Sequence, residues 1–196
     1  GGAYTTVGMV FKHALSWINF KVRTDNGVGD ADPKIAINSI TLNNVPVNGT
    51  LTVTNNNFAT TENTCTTVNL VANWNNTVTA NMKLVETGIV TDSFADDLLL
   101  TGAYKEFGGN GVLVIPSNQT SFTINYTITQ PDGTPNTFNY TYNLAGNNWE
   151  MAKKYFYNIN ITLSEIQVTP SITDWNKEDT TTNVELNGSA DTPASI

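Results

Sequence analysis

The sequence predicts an all-β protein built as a mostly antiparallel β-sandwich with little helix, and three observations carry that prediction. Apolar residues alternate with period two in one segment after another. Gly, Asn and Pro turns separate those segments. Helical periodicity is scarce. Eight to ten short strands at this spacing fit a sandwich or barrel better than any layered α/β arrangement.

Each element follows in order. In FKHALSWINFKV, Phe11 to Val22, the spacing of Phe11, Ala14, Leu15 and Ile18 predicts a short helical turn leading into the strand WINFKV. In KIAINSITL the inward set changes phase, from Ile35 and Ile37 to Ile40 and Leu42, as a β-bulge would require. GTLTVT points Leu51 and Val53 inward. DSFADDLLLTGAY is the best helical candidate, with Asp92 or Ser93 capping a turn or two that ends before Gly102. GVLVIP, Gly111 to Pro116, is a continuous apolar run and predicts a strand covered on both faces.

Phe122, Ile124, Tyr126 and Ile128 face one way in SFTINYTITQ. A turn follows at Pro131 to Pro135, and Phe138, Tyr140 and Tyr142 resume the alternation, so the pair reads as a hairpin. YFYNINITL alternates through Tyr155, Tyr157, Ile159, Ile161 and Leu163. After Trp175 the chain turns polar and thin in aromatics. The organisation expected is a processed or flexible N-terminus over 1–6, a sandwich over 7–176, and an arm or tail over 177–196.

Composition narrows the function. The chain of 196 residues is long enough for one sizeable core. It has 9 Lys+Arg against 17 Asp+Glu, a net charge of −8. Phosphate backbones and anionic membrane surfaces are repelled by that balance, so no nucleic-acid partner is expected. Asn and Thr make up about 30% of the residues, a polar uncharged composition that suits an extracellular β-protein. No apolar run is long enough for a membrane helix. Gly1-Gly2 reads as a cloning scar or a processed end, with any export signal already removed.

The candidate sites are weak. His13 is the single histidine; no Cys, His or second metal ligand stands at a recognisable spacing, so it reads as packing rather than chemistry. Cys65 has no neighbour to lower its pKa and reads as a small half-buried side chain. Asp96 and Asp97 would diverge on any regular element, and Asp174, Glu178 and Asp179 sit near the polar tail, so no glycosidase pair emerges. The loop DNGVGDADP offers Asp25, Asp30 and Asp32 as a weak calcium candidate without the EF-hand ligand order. GGNG at 108–111 precedes a strand, which defeats a phosphate cradle. Trp17, Trp74, Trp149 and Trp175 could stack sugars but more commonly cap a sandwich core. No catalytic residue and no cofactor is expected.

Several stretches, taken in order and at their distances, resemble the Bacteroidales fimbrillins, the pilin-like lipoproteins of the FimA and Mfa groups. FKHALSWINFKV looks like their F-x-H-x-L-S segment. GVLVIPSNQTSFTINYTI is similar to their "v-L-I-P" step and following strand. NNWEMAKKYFYNINITLSEI looks like their Trp, spacer, Lys, Tyr-x-Tyr strand, and ITDW like their closing Trp segment. The resemblance implies a transthyretin-like sandwich, with Phe11, His13, Leu15, Trp149, Tyr155, Tyr157 and Trp175 as motif positions in its core. It covers what looks like the second half of a typical member. The family's lipidated N-terminal cysteine and first domain are not in this sequence, and Arg23, the sole arginine, falls in a predicted strand rather than a cleavage site.

The function implied is a non-catalytic structural or adhesive subunit of fimbriae at the outer membrane of a bacterial cell. Its partners would be neighbouring subunits joined by strand exchange, together with a host or bacterial surface ligand, and any membrane attachment would run through a lipid anchor outside this chain. Val184 and Leu186, alternating with Asn183, Glu185 and Asn187, read as two pegs of a donor arm. The alternative reading is a carbohydrate-binding sandwich module, which requires exposed, roughly coplanar aromatics.

Overall fold

The computed structural model describes residues 13–26, 29, 31–55, 70–85, 88–89, 98–118, 121–144, 146 and 148–175. Every regular element among them is a strand: β1 Ser16–Arg23, β2 Lys34–Asn55, β3 Leu70–Val85, β4 Gly88–Ile89, β5 Leu98–Leu99, β6 Lys105–Val114, β7 Ser121–Thr129, β8 Pro135–Asn143, β9 Lys153–Ile161 and β10 Ile166–Asp174. They form two sheets. One has the order β10-β9-β1-β6, and the other β4-β3-β2-β7-β8 with β5 also on β2.

All pairings are antiparallel except β1 with β9, which run parallel from Trp17↔Lys154 to Arg23↔Asn160. The chain is therefore an all-β sandwich. Its core is filled from both inner faces: Ile18, Phe20 and Val22 of β1, and Tyr155, Tyr157, Ile159 and Ile161 of β9, meet Ile35, Ile37, Ile40 and Leu42 of β2 and Phe122 and Ile124 of β7. Phe20 touches Phe122 and Tyr157 at ring centroid distances of 5.1 and 5.4 Å, which ties the layers together. Each such side chain, taken from water, contributes roughly 1.5–3 kcal/mol before entropy.

The outer face of β2, β7 and β8 explains the Thr and Asn content. Asn38 Nδ2 donates to Asn125 Oδ1 at 2.7 Å and to Thr127 Oγ1 at 2.9 Å. Asn125 Nδ2 donates onward to Asn139 Oδ1 at 2.8 Å, and Thr123 and Thr127 pair with Thr141 and Thr137 at 3.0 Å. Cross-strand pairs of this kind fix register on a face that has no core to specify it.

The β7–β8 hairpin runs in unbroken register from Ser121↔Asn143 to Thr129↔Pro135. The register of β2 on β7 shifts between Ile37 and Ser39, so Ile35, Ile37, Ile40 and Leu42 are all buried despite their phase change.

Other expectations need correction. Leu98 and Leu99 of the expected helix pair with β2 as strand β5; Asp92 and Ser93 lie outside the described residues. His13 to Leu15 form no helical turn. In GVLVIP, Val112 and Val114 are buried but Leu113 is 51% exposed, because β6 is an edge strand covered on one face only. Val53 is exposed as well, since β2 beyond Leu42 pairs with β3 alone as a two-stranded ribbon. Leu163 has left β9 for the turn that follows and is exposed. GGNG is a bulge: Gly108 to Gly111 stand opposite Asn19 alone, between Ile18↔Val112 and Phe20↔Phe107. Gly108, Gly109 and Gly111 take positive φ there, as glycine can without strain.

Candidate assembly interface

The two sheets end together on one side without closing. β8 is the edge of the larger sheet and β10 the edge of the smaller, and their inner faces are apolar. On β8 the inward residues Phe138, Tyr140 and Tyr142 follow from the period of two, and on β10 so do Ile166, Val168, Pro170 and Ile172. Burial of that set is incomplete: Phe138 is 43% exposed and Ile172 51%. Between the edges lies a cavity of about 280 Å³ lined by Tyr142, Leu144, Tyr155, Tyr157, Pro170, Ser171 and Ile172.

The floor of this seam is held by hydrogen bonds. Trp149 is buried and donates from Nε1 to Tyr157 Oη at 2.9 Å. Tyr155 Oη donates to the Asn148 carbonyl and accepts from the Glu150 N–H, both at 2.8 Å. Tyr142 reaches Tyr157 across the layers, ring centroids 6.4 Å apart. Burial pushes the Tyr157 phenol up to about 12 and also raises Tyr155. The seam therefore presents neutral rings and aliphatic carbons, with no charge to repel an apolar side chain.

The motif residues divide. Trp149, Tyr155 and Tyr157 are buried under and beside the seam. His13 is exposed and Leu15 and Trp175 are half-buried, so these three are not core, in correction of the reading from sequence. The cause is position: His13 and Leu15 precede β1 and Trp175 follows β10, outside the layers. His13 instead stacks on Trp175 at 3.9 Å. Phe11, Cys65, Val184 and Leu186 lie outside the described residues.

The four tryptophans form no shared platform. Trp149 is buried, Trp74 spends its Nε1 on the Ala14 carbonyl at 2.7 Å, and only Trp17 and Trp175 come near a common neighbour, Lys154. Asp25 faces Arg23 at 3.1 Å and accepts from Asn160 Nδ2, while Asp32 accepts the Gly29 N–H at 2.9 Å. Both carboxylates thus accept from protein donors; Asp30 lies outside the described residues. Sequence reasoning overlooked Pro170 and Ile172, although a proline inside an alternating strand is itself an edge signal.

The fimbrillin-like family model matches residues 3–175. No curated protein matches the chain. A fimbrial protein from Bacteroides vulgatus aligns at 17% identity and TM-score 0.44, over 84% of this chain and 55% of that one. A protein from Bacteroides uniformis, provisionally described as a cell adhesion protein, aligns at 18% identity and TM-score 0.38, over 86% and 53%. A similarly described protein from Bacteroides ovatus aligns at 15% identity and TM-score 0.38, over 86% and 47%. The chain thus spans about half the length of the solved proteins it matches.

Proposed function

The chain belongs to the fimbrillin-like family, and on that premise we propose that it is a non-catalytic structural and adhesive subunit of cell-surface fimbriae, joined to its neighbours by strand donation. The observation that carries this reading is the open apolar seam between β8 and β10. An uncovered sheet edge of this kind is a pairing site for another chain. An extended segment laid beside β8 would take main-chain hydrogen bonds from it and set alternate side chains over Tyr155 and Tyr157.

Pro170 selects the edge. It has no N–H, and a proline inside a strand turns that missing donor to the unpaired side. The free edge of β10 is blunted at its middle, whereas β8 has no proline between Asn136 and Asn143. The incoming strand therefore pairs with β8. Its source is the tail of a neighbouring copy, Lys177 to Ile196, with Val184 and Leu186 as pegs. Two pegs contribute about 3–6 kcal/mol, a large fraction of the ~5–15 kcal/mol that stabilises a whole domain.

Cross-linking tests the reading in a Cys65→Ser background. A chain carrying Asn139→Cys on β8, mixed with one carrying Glu185→Cys or Asn187→Cys, should form a mixed disulfide on oxidation, while Thr169→Cys on β10 should not. A chain ending at Asp179 should fold but fail to enter polymers. Polymerisation of that truncation as well as the full chain would defeat the proposal.

A further inference from the structure

The outer face of the four-stranded sheet holds a cation, Lys154, with no carboxylate partner among the described residues. The registers of β10, β9 and β1 lay out three rows on that face: Thr173, Lys154, Trp17; Ser171, Phe156, Asn19; and Thr169, Asn158, Lys21. Lys154 Nζ sits 5.3 Å from the Trp17 ring centroid and 5.9 Å from that of Trp175. It makes no ion pair among the described residues. Lys21, Arg23 and Lys153 on the same sheet do, with Glu106, Asp25 and Asp174. The chain carries 17 acids to 9 bases; the row of Lys21 ends in Glu106 on β6, whereas the row of Lys154 and that of Phe156 contain no acid on β10, β9 or β1.

Two indoles hold the ammonium in place without neutralising it. A cation–π contact is weaker than a charged hydrogen bond, so Lys154 keeps its donors for an anion. Around it lie the chemical groups that recognise sugars. Trp17 and Phe156 meet edge to face at 5.4 Å and present half-buried rings. Asn158 and Thr173 offer amide and hydroxyl groups in the neighbouring positions.

We propose that this face binds a carboxylate-bearing glycan, with its acid on Lys154 and a single sugar ring on the half-buried Trp17, the perpendicular Phe156 flanking it. An acidic peptide fits less well: β9 and β1 are each paired on both sides, so their main chain has no ladder left to offer it. The proposal rests on the adhesive reading and names the ligand chemistry that reading leaves open. It is separate from the seam, which lies at the sheet edges.

Tryptophan fluorescence of the full chain, titrated with hyaluronan-derived oligosaccharides, chitin oligosaccharides and a poly-glutamate peptide, tests it. Saturable binding of the uronate-bearing sugar alone is expected, weakened about tenfold or more by Lys154→Gln and recovered in Lys154→Arg. No response to the uronate sugar, an equal response to chitin or to the peptide, or full binding by Lys154→Gln would each overturn it. Polymer entry and sugar binding, both measured on the unsubstituted chain, separate the two readings. Polymers formed without sugar binding sink only this one, and sugar binding without polymers sinks only strand donation.

Discussion

His13 lies face to face with Trp175, their ring centroids 3.9 Å apart and their planes within 14°. One residue leads into β1 and the other leaves β10, so the stack fastens the chain where it enters and leaves the sandwich. Two backbone bonds run beside it, from the Ala152 N–H to the Leu15 carbonyl at 3.2 Å and from the Trp175 N–H to the Ala152 carbonyl at 2.8 Å. His13→Ala should cost about 0.5–1.5 kcal/mol in urea melts and leave assembly near wild type once stability is matched. Loss of a measurable turnover would instead give this histidine a catalytic role.

The β7–β8 hairpin separates core from ladder within adjacent residues. Ile124 is buried, and Ile124→Ala should cost about 2–5 kcal/mol. Thr123 accepts from Asn43 Nδ2 at 3.0 Å and pairs with Thr141, so Thr123→Ala should cost about 0.5–1.5 kcal/mol. Equal losses in urea melts would mean that the facing is misassigned.

Tyr157 makes stability sensitive to alkali. Burial raises its phenol from the ordinary 10.0 to about 12. Below pH 10 both states keep the proton and the contribution is whole; between pH 10 and about 12 the unfolded chain ionises first, so stability falls. The difference approaches ~3 kcal/mol at the top of that window. Tyr157→Phe should lose about 1–3 kcal/mol at neutral pH, because Trp149 Nε1 loses its acceptor, and should show a shallower alkaline decline. Melts in a pH series on both proteins check the slope.

Two glycines with positive φ make a paired test. A Cβ on Gly133 meets nothing within 4 Å, so Gly133→Ala should cost about 1–2 kcal/mol for backbone strain alone. On Gly111 it would fall 2.6 Å from Trp17 Nε1 and 2.7 Å from the Ile18 carbonyl oxygen. Gly111→Ala should therefore exceed Gly133→Ala by about 1–3 kcal/mol in the same melts. Equal costs would mean that the bulge gives way freely.

What could be read from sequence was local. Alternation identified the β7–β8 hairpin and the buried set of β9 from Tyr155 to Ile161, since a strand with one covered face must alternate. The phase change at Ile37 revealed a bulge for the same reason. The β2–β3 ribbon was hidden because its exposed Val53 follows the same alternation as a core strand. The His13–Trp175 stack and the seam were hidden because both depend on which strands become neighbours, and no local pattern encodes that β9 lies parallel beside β1.

That parallel pairing has a kinetic consequence. In the larger sheet β7 and β8 are joined by a short turn, and β2 is completed once β7 arrives. β1 is different. Its flank is closed only when β9 arrives, and the Ser16 hydroxyl bonds the carbonyl of Glu150, 134 residues further along. Until then Ile18, Phe20 and Val22 have half a layer to rest on. Closing so long a loop is slow compared with making a hairpin, so the last event in folding should be the docking of β9 and β10. In a chain made from its N-terminus, β1 is exposed before the β9 that shelters it. During that interval a chaperone or a neighbouring chain has its chance to bind.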